Sequence, residues 1–121
     1  MNKLVFISGS PEIQGLAKDL LSSHEALLVS PGLIPDYLGD SEASEQILLV
    51  DEDLLKDETL SLIQASVKER RALAFIALIK DKSIDSAMKA MRAGAWDFFP
   101  VNNSVEELLD LVERVRCRAN H

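Results

Sequence analysis

A short apolar run that ends in an acidic residue constrains the fold of this chain more than any other feature. Residues 46–51 read QILLVD, with four apolar residues between a glutamine and an aspartate. A continuous apolar run of this length, without the alternation of a half-exposed strand, is typical of a strand covered on both faces. We therefore predict a central strand that delivers the carboxylate of Asp51 to one edge of a sheet. Asp51 is the first candidate for function.

Further apolar runs alternate along the chain with segments whose apolar residues recur at helical spacing. The strands are predicted at residues 3–7, 25–30, 46–51, 73–79 and 96–101. A helix is predicted after each strand, although prolines and glycines leave room for only a helical turn or two around residues 34–38. This alternation implies right-handed crossovers and an α/β fold: a doubly wound, five-stranded parallel sheet with helices on both faces.

Local signals define the ends of these helices and one strand position. Helix caps are predicted at Ser10 (followed by Pro11), Asp57, Ser83 and Ser104 (with Glu107 three residues later). Gly94 stands where a left-handed residue ends a helix. Met88 and Met91 share one side of the fourth helix with Ile84 and Ala87, and the methionines are predicted to fill the core. Pro100 predicts either that the last strand lies at an edge of the sheet or that the strand ends there.

Length, charge and cysteine content narrow the possible functions. The 121 residues fit a single domain, 1–121. With 20 acidic residues against 13 basic ones, the net charge is -7, which disfavours direct nucleic-acid binding. The single Cys117 and the two histidines, His24 and His121, provide no metal-binding set. No membrane span or signal peptide is evident, so we expect a cytoplasmic protein.

The residues at the carboxyl ends of the strands, with the segment SIDSAMKAMRAGAWDFF at 83–99, resemble the receiver domain of two-component response regulators. Receivers at the N-terminus of sigma-54-dependent transcriptional activators are the most similar. The resemblance covers nearly the whole chain, and it is strongest over 83–99 and weakest over 31–45. It implies a CheY-like fold with strand order 2-1-3-4-5, and a role in signalling, phosphorelay or transcription regulation.

The resemblance also assigns positions in the site. An active receiver holds magnesium with an acidic pair and an acceptor aspartate, and contacts the phosphoryl group with a hydroxyl and a lysine. The acceptor position falls on Asp51, but the acidic pair falls on Ser8 and Gly9, the hydroxyl on Ile79 and the lysine on Val101. Neither lysine just after the fourth predicted strand, Lys80 or Lys82, is expected to replace it, because both follow the wrong strand.

These departures imply a degenerate receiver, or pseudoreceiver. We expect no catalytic residue, no cofactor, weak or absent magnesium binding, and no efficient phosphorylation of Asp51, because phosphoryl transfer depends on positioning and charge stabilisation. Phe98 falls at the family's switch-aromatic position and is more simply interpreted as a core residue. The partners expected are an output domain of the same chain, a partner protein, or a second copy docking through the face formed by residues 83–116.

The last predicted helix runs on through residues 114–118 without a stop signal, which favours an N-terminal fragment of a longer regulator. Three alternatives stay open. Asp51 could still accept a phosphoryl group with a makeshift metal ligand from Glu12, Glu52 or Asp53. The pair Asp51 and Asp53 is also compatible with an Asp-x-Asp phosphotransferase. The turn at residues 8–10 could bind a small anion or nucleotide at a helix N-terminus.

Overall fold

The computed structural model describes residues 4–21, 26–34, 46–69, 72–80 and 83–119. The strands are β1 (Leu4–Ile7), β2 (Ala26–Val29), β3 (Ile47–Asp51), β4 (Ala74–Ile79) and β5 (Asp97–Pro100). The α-helices are α1 (Pro11–Leu21), α2 (Asp57–Lys68), α3 (Ile84–Arg92) and α4 (Val105–Ala119). Short 3₁₀ helices occupy Pro31–Leu33 and Glu52–Leu54. The helical turn predicted around 34–38 lies, apart from Ile34, outside the described residues.

The five strands form one parallel sheet in the order β2-β1-β3-β4-β5. The predicted fold class and strand order are therefore confirmed. β3 lies at the centre, and all five of its residues are buried, as the apolar run indicated. β5 forms one edge of the sheet, where the proline at its end, Pro100, pairs with Ile79 without breaking an interior ladder.

Alternate residues of β3 enter two separate hydrophobic clusters, one on each face of the sheet. Ile47 and Leu49 belong to the cluster covered by α1 and α4, and Leu48 and Val50 belong to the opposite one. The second cluster includes Phe75 of β4 and Ile63 of α2, and it is completed near α3 by the alanines Ala90, Ala93 and Ala95. Helices therefore cover both faces, which leaves the strand ends as the place where polar side chains gather.

Three of the helix-end predictions are confirmed. The Ser83 side chain accepts a hydrogen bond from the Ser86 amide at 3.1 Å, and Ser104 accepts one from the Glu107 amide at 3.2 Å. Gly94 has a φ of 92°, in the left-handed region that favours glycine.

The predicted cap of α2 is wrong. Lys56 is the N-cap, with extended backbone and no side-chain capping bond, and Asp57 is the first helical residue. Asp57 itself has a φ of 54°, a left-handed conformation that aspartate tolerates better than most residues. Asp57 therefore allows the tight backbone turn at the start of the helix and does not act as the N-cap.

The orientation of α3 also corrects the sequence analysis. Met88 and Met91, predicted to fill the core, are 46% and 51% exposed. The helix instead turns its small residues to the sheet: Ala90 is buried, as is Ala93 just beyond the helix, and Gln64 of α2 donates a 2.7 Å hydrogen bond to the Ala93 carbonyl. Small side chains allow a helix to approach the sheet closely, and this places the larger apolar side chains on the outside.

A search of the described helices for a membrane-spanning segment finds none of sufficient length and hydropathy.

Candidate functional site

Asp51 ends β3 with its side chain at the carboxyl edge of the sheet. The residue is only 3% exposed, and both carboxylate oxygens have partners. The Ser8 hydroxyl donates to Oδ2 at 2.7 Å, and the Asp53 amide donates to Oδ1 at 3.0 Å. A buried carboxylate is costly unless it is hydrogen-bonded, so these bonds explain how the fold tolerates Asp51 here.

Ser8 follows β1 directly and connects Asp51 to the beginning of α1. It is 1% exposed, and its hydroxyl oxygen accepts a 2.8 Å hydrogen bond from the Ser10 amide while its proton goes to Asp51. The Ser8 amide donates to the Val29 carbonyl at 3.3 Å. The turn at 8–10, considered as an anion site, therefore directs at least two of its donors to groups within the chain.

Lys80 follows β4, as the sequence indicated, yet its side chain joins this cluster. Its Nζ is 2.7 Å from Oδ2 of Asp53 and 3.8 Å from Oδ2 of Asp51. β4 neighbours β3 in the sheet, and parallel strands lie about 4.8 Å apart, so a long side chain leaving the end of β4 reaches the loop after β3. The sequence analysis named this amine but discounted it, because it considered the strand that Lys80 follows and not the distance across the sheet.

The pKa values of the pair reflect this contact. The hydrogen bond from Lys80 lowers the pKa of Asp53, with nearby Lys89 and Lys56 adding smaller effects. The same bond to Asp53 raises the pKa of Lys80, and the charge of Asp51 adds to it. Asp53 has a side chain that is 64% exposed, so solvent screening keeps the contribution to stability small.

Glu52 lies between Asp51 and Asp53 and faces α3. Burial raises its pKa first, and the neighbouring charge of Asp53 raises it further, whereas Lys89 and the Ser86 side chain oppose the shift. In the described part of the chain, its Oε2 atom is buried without a hydrogen-bond partner. Glu52 is therefore a locally unfavourable carboxylate that connects the Asp51 loop with α3.

The other positions assigned by resemblance contribute no polar side chain to the crevice. Gly9 is exposed, and among the described residues a Cβ there would touch the Pro31 ring, at 3.5 Å. Ile79 is fully buried, and Val101 is half-buried with its amide donating to the Ile79 carbonyl at 2.9 Å. Asp51 is thus brought together with Ser8 and Lys80, but Ile79 and Val101 form an apolar side of the same edge.

This donor set suits a hard dication poorly. Magnesium requires several oxygen ligands in near-octahedral geometry, usually including one or two carboxylates. Here one oxygen of Asp51 already accepts from Ser8, and the space near Asp51 and Asp53 holds an ammonium group. Among the described residues, no group of three or more acidic, histidine or cysteine side chains is arranged to hold a metal.

Phe98 lies on β5 next to a cavity between the sheet edge and α3. It is half-buried, whereas the neighbouring Phe99 is 3% exposed and forms part of the core. The cavity has a volume of about 350 Å³, and its lining includes Ile79, Ile84, Ala87, Phe98 and Pro100. Phe98 therefore packs against the second hydrophobic cluster with one side and lines the cavity with the other, so it is a core residue only in part.

The outer face of α3 carries an apolar stripe, which we define as Ile84, Met88 and Met91. Ile84 is 77% exposed, and the two methionines are each about half exposed. These residues lie at positions i, i+4 and i+7, so they form one continuous row along the helix. Basic residues of the same helix, Lys89 and Arg92, are also exposed.

The chain was compared with known proteins. No family model matches it, and no curated protein gives a significant match. A candidate pilus assembly protein (cpaE) of Burkholderia thailandensis E264 matches in structure with a TM-score of 0.68 at 18% identity, over 97% of this chain and 99% of that one. The beryllofluoride-activated receiver domain of DrrB, a Thermotoga maritima protein, matches with a TM-score of 0.68 at 21% identity, over 93% and 95%.

The chemotaxis response regulator CheY4 of Vibrio cholerae also has a TM-score of 0.68, at 15% identity and over 95% of this chain and 98% of that one. At these identities the similarity concerns the fold. The chain has the CheY-like fold of response regulator receiver domains.

Proposed function

We propose that this chain is an atypical receiver domain of a two-component-type regulator and acts as a protein–protein interaction module rather than as a magnesium-dependent phosphoacceptor. One observation carries the proposal: the carboxylate that an active receiver would leave free is satisfied by groups of the chain itself. Ser8 and the Asp53 amide bond both oxygens of Asp51, and Lys80 lies beside it.

Chemical reasoning supports the first part of the proposal. Phosphoryl transfer to a carboxylate requires an oxygen free to attack and positive charge positioned on the transferring group. In this crevice Asp51 is 3% exposed, and the only lysine that the described contacts place beside it is paired with Asp53. The residues at the hydroxyl and lysine positions, Ile79 and Val101, provide no hydrogen-bond donor from their side chains.

The exposed stripe on α3 supports the second part. Full burial of a side chain such as Ile or Met contributes about 1.5–3 kcal/mol, so covering Ile84, Met88 and Met91 together would release a substantial free energy. Methionine also adapts well to a partner surface. We propose that the partner is a second copy, docking through the face formed by residues 83–116, where exposed acidic residues of α4 such as Glu106 and Asp110 could meet Lys89 and Arg92.

The phosphorylation part is tested by incubation with acetyl phosphate and magnesium, followed by intact-mass measurement. An established active receiver is treated in parallel as a positive control. We expect the control to gain a phosphoryl group and this chain to remain unmodified. Formation of an acyl phosphate on Asp51 in good yield would overturn this part and favour the alternative of an active phosphoacceptor.

The docking part is tested by sedimentation velocity over a range of concentrations. The double variant Met88→Glu/Met91→Glu places two charges in the stripe, and Ser61→Glu places one at an exposed position of α2 as a control. We expect the wild type and Ser61→Glu to dimerise and the double variant to remain monomeric. A wild type that is monomeric at every concentration, or a double variant that dimerises equally well, would contradict docking through this face.

Two kinds of downstream module are candidates for regulation by this domain. The resemblance to receivers of sigma-54-dependent activators favours an ATPase module downstream. The structural similarity to a candidate pilus assembly protein instead favours a role in pilus assembly. We propose that the domain regulates whichever module is attached to it or binds it. The coding sequence that follows His121 in the gene distinguishes the two.

A further inference from the structure

Lys80 lies between the two carboxylates of the crevice. Its ammonium group donates to Asp53 at 2.7 Å, a short charge-assisted hydrogen bond, and it is 3.8 Å from Asp51, an ion-pair distance too long for a hydrogen bond. The Lys80 side chain is 31% exposed, so the ammonium group is partly withdrawn from solvent. No resemblance assigns a role to this residue.

The charges around the amine favour its presence there. Asp51 and Asp53 bring two formal negative charges within 4 Å of it, and Glu12 adds a more distant one. Ser8 and the Asp53 amide provide hydrogen bonds but no formal charge. Without Lys80, the crevice would hold two neighbouring carboxylates, one of them buried, with neutral donors and the weaker, more distant charges of Lys89 and Lys56 to compensate them.

A divalent cation would require the same oxygens. To bind Asp51 and Asp53 together, it would have to occupy the region where the ammonium group lies, and a unit positive charge within about 4 Å of a dication repels it even in a polar environment. The lysine and the metal are therefore alternative ways of compensating the same carboxylates.

We propose that Lys80 is the resident cation of this crevice: its ammonium group supplies the charge compensation that a divalent cation would otherwise give to Asp51 and Asp53, and thereby excludes that cation. The inference deepens the proposed function and rests on its claim that the domain works without magnesium. It adds the residue responsible, and it states that loss of one amine converts the crevice into a site for a divalent metal.

The experiment titrates the protein with Mn²⁺ and follows the line broadening of assigned backbone amide signals. Lys80→Met removes the charge and keeps most of the side-chain volume, and Lys80→Gln is a second variant in case the first does not fold. Lys56→Met is the matched control, since Lys56 is exposed and influences Asp53 only through space. Circular dichroism verifies that each variant is folded.

We expect selective broadening at residues 51–53 in both Lys80 variants, reversed by excess Mg²⁺, with Mn²⁺ binding at least about tenfold tighter than in the wild type. Lys56→Met should resemble the wild type. If the wild type binds Mn²⁺ as tightly as the Lys80 variants, both this inference and the proposed magnesium independence fail.

Two other results would overturn the inference alone. In the first, neither the wild type nor the Lys80 variants bind Mn²⁺ at residues 51–53, which leaves the proposed function intact. In the second, Lys56→Met gains binding as much as the Lys80 variants do, which would assign the effect to net charge and not to the position of the amine.

Discussion

The carboxyl edge of the sheet and the outer face of α3 differ in how their side chains are satisfied. At the edge, the carboxylate of Asp51 is buried and bonded within the chain, with a hydroxyl, an amide and an ammonium group around it. On α3, large apolar side chains face solvent, with Ile84 77% exposed. The sequence draws attention to Asp51 as an accessible functional group and to Met88 and Met91 as core residues. In the structure Asp51 is buried and the two methionines are about half exposed.

The contrast follows from what each region packs against. The edge lies where β3 has neighbouring strands on both sides, so side chains leaving β1 and β4 reach Asp51. α3 contacts the sheet through alanines, which bury little area each, and its larger apolar side chains, Ile84, Met88 and Met91, stay about half exposed or more. Within the described residues, the crevice is therefore stabilised internally, whereas the apolar stripe of α3 stays exposed.

The largest loss of stability is expected from truncating a core side chain in the hydrophobic cluster beneath α2 and α3. Phe75 is 2% exposed and belongs to the cluster completed by Ala90 and Ala93. Phe75→Ala should lower the free energy of unfolding by about 3–5 kcal/mol, because it removes a large side chain and leaves a cavity. Urea denaturation measures the loss, and Met88→Ala is the exposed control. Equal losses in the two variants would break the contrast between core and surface.

A smaller loss is expected at the polar edge. Ser8→Ala removes the hydroxyl that donates to Asp51 and accepts from the Ser10 amide, so a buried carboxylate loses one partner. The expected cost is about 1–3 kcal/mol in urea denaturation. Ser61→Ala removes a hydroxyl whose bond to the Asp57 carbonyl is exposed, and it should cost much less. A Ser8 variant as stable as the Ser61 variant would show that the crevice does not depend on internal bonding.

Glu52 tests the comparison from the opposite side, because its ionised carboxylate is destabilising at the carboxyl edge of the sheet. Its pKa in the folded protein is raised by burial and by Asp53 above the ordinary 4.5, so the folded state retains a proton that the unfolded chain releases. Stability should therefore fall as the pH rises from 4.5 through the raised pKa. Glu52→Gln should remove this dependence and stabilise the protein at neutral pH, by less than about 1 kcal/mol given its partial exposure.

Thermal unfolding from pH 4 to pH 8 compares Glu52→Gln with the wild type. Glu58→Gln, at an exposed position in the first turn of α2, serves as the control. A Glu52→Gln variant that is less stable than the wild type at neutral pH would mean that the Glu52 charge is favourable in its contacts with Lys89 and Ser86.

The smallest change in stability is expected on the apolar stripe. Ile84→Ser replaces the most exposed of its residues and should change the free energy of unfolding of dilute protein by no more than about 0.5 kcal/mol. Urea denaturation at low protein concentration measures it. A clear loss there would mean that Ile84 stabilises the isolated domain and that its exposure has no bearing on docking.

Local signals in the sequence predict much of the fold. The unbroken run before Asp51 predicted the central strand, Pro100 predicted an edge position or a strand end, and Gly94 and Ser83 predicted the ends of a helix. Each of these depends on a residue's own backbone preference or on neighbours a few positions away. In these segments the local preference agrees with the final tertiary structure, so the sequence signal is sufficient to predict it.

What the sequence did not predict depends on packing between distant segments. Helical periodicity places Met88 and Met91 on one side of α3, but only the docking of that helix through Ala90 decides which side faces the sheet. Lys80 meets Asp53 because β4 lies beside β3, a relation across the sheet and not along the chain. The sequence predicted that Asp51 ends the central strand, as the structure shows, but it discounted the cation beside it.

The Ser8 hydroxyl has a spectroscopic consequence. Its single proton points to the Asp51 carboxylate, and the residue is almost fully shielded from water. Such a proton should exchange slowly enough to give its own resonance, unlike the hydroxyls of surface serines. Any modification of Asp51, or movement of β1 relative to β3, would shift or erase that signal, so the Ser8 hydroxyl is an intrinsic reporter of this buried carboxylate.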